Sequence, residues 1–379
     1  MPLSLNGREI SSSDVWVIAE AGVNHNGSVD SALELVHAAS HAGADAVKFQ
    51  IFSADALASA DAPTAAYQQS TGAPTGQRAL LRKLELQRHD FVRISACCRD
   101  VGIAFLATPF DPADVPFLTE LGVPAIKIAS PDLTHRPLIE SALHTGLPVL
   151  ISTGASRSAE LDRAVAWCRK VVADDCIVLL HCVSSYPTPD CDANLRRIAT
   201  LQQRHQLPVG YSDHTTSLQA GSLAVALGAR VVEKHLTLNR DQPGPDHAMS
   251  LEPADLAEYI RRIRQAQSLL GDGNEDYRPI EADVRRVARR SIVAARDIPA
   301  GRIIGPGMLA CQRPAGGIEP HRLNDLLGRR SACHISRGTQ LAWDMLAETE
   351  ANSSRPATPP PPHSPADPDA IPSTTASAR

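Results

Sequence analysis

Eight short apolar runs, each bounded by Gly, Pro or Asp and separated by stretches with helical spacing, constrain the fold of this chain more than any other feature. They are VWVIAE (15–20), AVKFQIF (46–52), IAFLATPF (103–110), AIKIAS (125–130), PVLISTG (148–154), CIVLLHCV (176–183), PVGYSD (208–213) and RVVEKHLTL (230–238). Between them lie segments such as SALELVHAASHAG and SAELDRAVAWCRKVV, several of which start after Ser or Asp and stop at Gly, as amphipathic helices do. Strands alternating with helices call for right-handed βαβ units and a parallel sheet. Eight such units in about 250 residues are the number that closes a (β/α)8 TIM barrel, an α/β fold. The composition suits an aliphatic barrel core: hydrophobic residues are 43% of the chain but aromatics only 4%. An open doubly wound sheet is the competing arrangement, but it needs a glycine-rich phosphate turn after its first strand. Here that position reads AGVNHNG, which is not GxGxxG.

The pattern divides the 379 residues into a barrel over 1–270, a polar linker over 271–290, a compact β-rich module over 291–347 and a tail over 348–379. The tail holds eight of the 29 prolines among Ser, Thr and Ala, and is expected to stay disordered because it cannot bury enough apolar surface to offset its ordering entropy. The longest irregular stretch, about 53–88, follows the second strand and reads as an active-site loop. A net charge of −5 provides no basic field for nucleic acid. The eight cysteines form no CxxC, and Cys97 and Cys98 are adjacent, so they read as reduced, mostly buried thiols. The N-terminus has no signal-like apolar core and no run approaches a membrane span, so a cytoplasmic protein without membrane contact is expected.

In a barrel of this kind the active site lies at the C-terminal ends of the strands. Polar residues collect there on every strand: Glu20; Lys48 and Gln50; Thr108; Lys127, Ser130 and Asp132; Ser152 and Thr153; His181, Ser184 and Tyr186; Ser212, Asp213 and His214; Glu233, Lys234 and His235. A strand-end Ser or Thr is more often a helix cap, and a lone strand-end His is more often no ligand at all. Convergence on one narrow mouth raises the odds. His214 and His235 end sequence-adjacent strands, a spacing that suits two imidazoles on one open-coordinated divalent ion, with Mn, Zn or Fe all compatible. Asp246 and His247 support the site from the rim. Lys48 and Lys127, with hydroxyls from Ser130, Ser152, Ser184 and Ser212, form an anion cradle suited to a small phosphorylated acid. A Schiff-base lysine is the alternative role.

The motifs IAEAGVNHNG (18–27), AVKFQ (46–50), ATPF (107–110), IKIAS (126–130), ISTG (151–154), LHCVSSYPTP (180–189), GYSDHT (210–215) and VVEKHLTLNRDQPGPDH (231–247) resemble the sialic acid synthase family. Residues 291–346 are similar to the antifreeze-like (SAF) domain that follows the barrel there. The resemblance implies condensation of phosphoenolpyruvate with an open-chain N-acetylated amino sugar, N-acetylmannosamine first, giving N-acetylneuraminate and phosphate. It implies a divalent ion, manganese first and magnesium next, on His214 and His235. It implies phosphoenolpyruvate on Lys48, Lys127, Ser130, Ser152, Ser184 and Ser212, and the sugar on Gln50, Tyr186, Asp246 and Arg313. Glu20, with Asp132, is implied as the catalytic carboxylate. Arg313 matches an arginine that enters the partner's barrel, which implies a domain-swapped homodimer. Two departures stand out: Pro131-Asp132 where bacterial members often read Gly-Glu, and Ser184 where some carry Asn. The rival readings are a legionaminic, pseudaminic or spore-coat polysaccharide synthase with the same chemistry, a related 3-deoxy-sugar-acid synthase acting on a phosphorylated aldose, and a non-catalytic carbohydrate- or ice-binding protein.

Overall fold

A sheet of eight strands, all parallel, organises the first unit, Met1–Gly273, in the computed structural model. The structure describes residues 3–10, 14–63 and 76–347; the Pro-rich tail and the middle of the loop after the second run lie outside the described residues. The strands are β3 (Trp16–Gly22), β4 (Ala46–Ile51), β5 (Ala104–Pro109), β6 (Ile126–Ile128), β7 (Val149–Ser152), β8 (Ile177–Cys182), β9 (Val209–Asp213) and β10 (Val231–His235). Each falls within, or within two residues of, one of the eight apolar runs. Their order across the sheet is β5-β4-β3-β10-β9-β8-β7-β6, and the end strands β5 and β6 lie side by side, so the sheet closes on itself.

Alternation along the strands sorts side chains between two environments. Val17, Ala19, Val47, Phe49, Ile151, Leu179 and Val232 belong to the cluster shared with the surrounding helices. Trp16, Ile18, Ala46, Leu106, Leu150, Leu180 and Val231 belong to a second cluster that fills the lumen toward the strands' N-terminal ends. A hairpin ahead of the barrel, β1 (Leu3–Leu5) and β2 (Arg8–Ile10), joins that second cluster through Leu5 and Ile10, both fully buried. Its two-residue turn is Asn6-Gly7, with φ of 53° and 71°, the positive pair that a type I′ turn requires. An isolated two-stranded hairpin is marginal in water, and burying an Ile or Leu side chain contributes about 1.5–3 kcal/mol. Docking over the barrel floor therefore holds the hairpin in place. The Asn-Gly pair itself is the signal for it in the sequence.

Two expectations, on the 53–88 stretch and on the cysteines, need correction, and the linker gains detail. The 53–88 stretch is not irregular throughout: Ala54–Leu57 and Gln77–Leu84 are helical, and Leu80 and Leu84 pack on Val23 and Phe52. The polar segment 271–290 contains a 3₁₀ turn, Pro279–Glu281, running into the helix Ala282–Ala288. The cysteines are all free, but only Cys98, Cys168 and Cys182 are buried, whereas Cys191 and Cys333 are exposed.

The second unit runs from Asn274. Among its described residues it holds one antiparallel pair, β11 (Ser291–Ala294) with β12 (Leu309–Gln312), and isolated bridges such as Ile298 with Ile335 and Ser331 with Leu346. Its own core comprises Ile292, Ile298, Ile304, Leu326, Ile335 and Leu341 among others. Among the described residues no helix is long and apolar enough to cross a membrane.

Candidate active site

The lumen changes character one turn of alternation above the apolar layer. Glu20, Lys48, Lys127 and Glu233 all point inward, each no more than 3% exposed. Strand register brings them together: Glu20 is the Cα partner of both Lys48 and His235, and Glu233 that of Ser212. Lys48 Nζ lies 2.7 Å from Glu20 Oε2 and 3.6 Å from Glu233 Oε2, and donates to Thr108 Oγ1 at 2.8 Å. Lys127 Nζ lies 3.4 Å from Glu233 Oε1, which also accepts from Ser212 Oγ at 2.8 Å.

Four charges in one dry layer do not behave alike. Burial pushes Glu20 up to about 7, and the proximity of Glu233 adds to the shift while Lys48 opposes it. Burial acts the same way on Glu233, but Lys127, Lys48 and the Ser212 hydroxyl outweigh it and bring that carboxyl down to about 2. Glu233 thus holds the negative charge while Glu20 is poised to gain or release a proton near neutrality. Burial alone would lower Lys48, but its two carboxylates hold it above its ordinary value; Lys127 is lowered, chiefly by burial.

On the same rim, the rings of His214 and His235 are 5.4 Å apart, and Tyr186 lies 4.3 Å from His214. His214 Nδ1 is 2.8 Å from the Val183 carbonyl. A carbonyl can only accept, so Nδ1 carries a proton, and although burial opposes it, the neighbouring Cys182 thiol and that carbonyl hold the imidazole above its ordinary value. His235 Nδ1 is buried without a hydrogen-bond partner, and burial drives its imidazole to the neutral form. One imidazole oriented by a backbone carbonyl and one buried with an unsatisfied nitrogen fit the donor set of a divalent ion. No cluster of three or more His, Cys, Asp or Glu fit to enclose an ion occurs among the described residues. An ion here would therefore leave positions for other oxygens.

The cradle lies across the lumen. Ser130 Oγ accepts from the Gly154 N–H at 2.9 Å, and Ser152 Oγ is buried with no partner, so its hydroxyl has bonding capacity to offer a ligand. A Cβ on Gly154 would fall 2.3 Å from Ser184 Oγ and 2.8 Å from Ser130 Oγ, so only glycine lets the two hydroxyls converge. Ser184 itself is exposed. Pro131 sits in the first turn of the 3₁₀ segment Ser130–Thr134, where its missing N–H costs no hydrogen bond. Asp132, half-buried in that turn, keeps an unsatisfied Oδ2 but does not line the cavity, and burial raises its carboxyl.

Asp246 is placed by a clasp between two loops distant in sequence. Asn24 Nδ2 donates to the Leu236 carbonyl at 2.8 Å and to Ser250 Oγ at 2.9 Å, and Ser250 Oγ donates to the Asp246 carbonyl at 2.6 Å. His247 Nε2 lies 3.2 Å from Asn26 Oδ1, and its Nδ1 lies 2.7 Å from Thr237 Oγ1. The Asp246 carboxylate then faces inward, 3.9 Å from His235 Nδ1, and burial pushes it up to about 6. Around Gly22, whose φ is 53°, a Cβ would meet Glu20 at 3.3 Å, Gln50 at 3.5 Å and Asp246 at 3.6 Å, so these three side chains share one space.

Not every polar strand-end residue faces the lumen. Thr153 hydrogen-bonds the Leu180 carbonyl, and His181 stacks on Tyr211 and bonds the Ala193 carbonyl. Asp213 and Lys234 pair with each other against Tyr259. Arg313 belongs to the second unit and is exposed. Glu233, which anchors both lysines, stands among the strand-end residues of the sequence but carries no role there; its spacing of two from His235 is the signal for one.

Known proteins resemble this chain in sequence and fold. The NeuB family model matches residues 35–275, and the SAF domain model matches residues 289–347. An N,N'-diacetyllegionaminic acid synthase from Legionella pneumophila is 40% identical over 340 residues, 89% of this chain and 96% of that protein. The N-acetylneuraminate-9-phosphate synthase of Mus musculus is 33% identical over 87% of this chain and 93% of that protein. Among solved structures, the N-acetylneuraminic acid (sialic acid) synthetase of Leptospira borgpetersenii is 33% identical, with a TM-score of 0.68 over 75% of this chain and 95% of that one. With its eight-stranded parallel barrel and a SAF domain after it, the chain belongs to the NeuB family of sialic-acid-type synthases.

Proposed function

We propose that the protein condenses phosphoenolpyruvate with an open-chain N-acetylated amino sugar, and that the acceptor is a 2,4-diacetamido hexose, giving a legionaminic-type nine-carbon acid and phosphate. The observation that carries the reaction is the inward quartet Glu20, Lys48, Lys127 and Glu233 beneath the paired imidazoles. The preference for a diacetamido acceptor over N-acetylmannosamine is supported by the relatives from Legionella pneumophila and Campylobacter jejuni, 40% and 39% identical, both named for diacetyllegionaminic acid synthesis.

Lys48 and Lys127 bind the carboxylate and phosphate of phosphoenolpyruvate by charge-assisted hydrogen bonds, with Ser130, Ser152, Ser184, Ser212 and the Gly154 loop around the anionic oxygens. His214 and His235 hold a divalent ion, with Mn2+ as our first choice. When bound, that ion supplies Lewis acidity to the sugar aldehyde. Gln50, Tyr186 and Asp246 orient the sugar. As the enol carbon bonds to the aldehyde carbon, the aldehyde oxygen must gain a proton, and Glu20, poised near 7, is the donor. Its carboxylate then stabilises the oxocarbenium-like C2 and takes a proton from the water that adds there. Breaking the C2–O bond to phosphate completes the ketone, and the remaining hydroxyl proton leaves with phosphate. Asp132, off the cavity wall, acts on the strand 6 loop rather than on the reacting atoms.

We assign the assembly as a homodimer in which Arg313 closes the mouth of the partner subunit's barrel. Supporting it, Ile280, Val284 and Val287 on and before the helix Ala282–Ala288 are 89%, 63% and 43% exposed, an apolar face that a second copy would cover. The deciding assay follows phosphate release from phosphoenolpyruvate with a 2,4-diacetamido hexose and with N-acetylmannosamine, with and without Mn2+, identifying products by mass. Phosphate release with neither sugar overturns the reaction; release with N-acetylmannosamine alone overturns the acceptor.

A further inference from the structure

Outside the lumen, behind the two histidines, lies an ionic cluster that the chemistry above does not use. Asp213 and Lys234 are Cα partners at the ends of β9 and β10, and both side chains point away from the lumen into the layer of helices. Lys234 Nζ lies 3.0 Å from Asp213 Oδ2, and both side chains are 0% exposed. Asp213 Oδ2 also accepts from Tyr259 Oη at 2.8 Å, and Oδ1 accepts from Tyr211 Oη at 3.1 Å and from both the N–H and hydroxyl of Thr215 at 2.8 Å. Lys234 donates to the Thr215 carbonyl and sits 5.3 Å from the centre of the Tyr259 ring. Tyr259 comes from the helix Pro253–Leu270, and its approach depends on Gly221, where a Cβ would fall 2.5 Å from its hydroxyl.

Each member of this cluster adjoins a histidine in sequence or braces one that does. Asp213 and Thr215 flank His214, and Lys234 precedes His235. His214 stands one residue beyond β9, where the ladder no longer holds its backbone. There the His214 carbonyl accepts from the Thr188 N–H at 2.9 Å, and the cluster adds the second hold, because it ties the N–H, hydroxyl and carbonyl of Thr215 to charges that are themselves fixed on two strands and a helix. Stability alone does not require such a pair: well-packed apolar residues in place of a buried ion pair are often neutral or stabilising, whereas ionic hydrogen bonds are directional.

We propose that Asp213, Lys234, Tyr259 and Thr215 form a positioning device that sets the separation and orientation of the His214 and His235 rings; that the rings hold a divalent ion rests on the function proposed above. The test uses the full-length chain with two variants, Tyr259→Phe and the double substitution Asp213→Leu with Lys234→Met. Three quantities are measured: the melting temperature, Mn2+ affinity by electron paramagnetic resonance of the free ion, and the imidazole NMR resonances of His214 and His235. The double variant is expected to melt within a few degrees of the wild type while Mn2+ binding weakens at least tenfold and both imidazole resonances move. Tyr259→Phe, which keeps the ring and loses only the hydroxyl, is expected to weaken binding severalfold, and it decides the matter if the double variant does not fold. Wild-type Mn2+ affinity with unmoved imidazole resonances, whatever the melting temperature, would overturn the proposal. A wild-type chain that binds no Mn2+ would overturn the metal reading instead, and the imidazole resonances would still decide whether the cluster positions the rings.

Discussion

Glu20→Gln tests the electrostatics of the lumen directly. The wild-type carboxyl is 2% exposed and pushed up to about 7 from an ordinary 4.5, burial being the largest cause. A carboxyl raised in this way contributes stability that is complete below pH 4.5 and is lost as pH rises through about 7, because over that window the native state binds more protons than the unfolded chain. The shift of roughly two and a half pH units corresponds to about 3 kcal/mol at about 1.36 kcal/mol per unit. Glutamine matches the shape and cannot ionise. The variant's stability relative to wild type should therefore rise by about 3 kcal/mol between pH 4.5 and 8. Urea unfolding of metal-free protein at several pH values and constant ionic strength measures the quantity. Parallel stability curves for variant and wild type across that range would refute the assignment of Glu20 as the proton-bearing carboxyl. Glu233→Gln serves as the opposite case: its carboxyl is drawn down to about 2, so it removes a stability gain that the wild type acquires as pH rises toward 4.5.

Gly154→Ala should raise the KM for phosphoenolpyruvate at least tenfold, because the added methyl falls 2.3 Å from Ser184 Oγ and 2.8 Å from Ser130 Oγ; steady-state kinetics showing an unchanged KM would remove that loop from the anion site. Leu5→Ala should cost the barrel about 2–4 kcal/mol by opening a cavity under its floor, and a loss below 1 kcal/mol in chemical denaturation would mean that the hairpin is not docked there. Arg313→Ala should raise the KM for the sugar while leaving that for phosphoenolpyruvate unchanged, and Val284→Asp, on the exposed apolar face, should yield a monomer by sedimentation with the same sugar defect. A dimeric, fully active Val284→Asp chain would contradict the shared active site.

Much of the barrel was legible because its information is local. Eight apolar runs, the helical spacing between them and a strand period of two follow from backbone geometry that neighbouring residues share, and each observed strand lies at or beside one of those runs. Lys48, Lys127, His214 and His235 were legible for the same reason, as polar residues at strand ends where a closed barrel exposes them to one mouth. The hairpin was legible in principle, through Asn6-Gly7, since the turn's two positive φ values favour that pair.

What only the tertiary structure decided is which of two alternating faces looks inward and what each buried charge then meets. Glu233 and Lys234 are neighbours in sequence and equally polar, yet Glu233 joins the lumen quartet and Lys234 pairs with Asp213 behind it. The assignment depends on how the sheet closes, which no local pattern carries. The same holds for the carboxyls: Glu20 rises and Glu233 falls because burial and two lysines act on them unequally. Burial and charge separation depend on distances such as that between Glu20 and Glu233, 213 positions apart, and folding alone sets those distances.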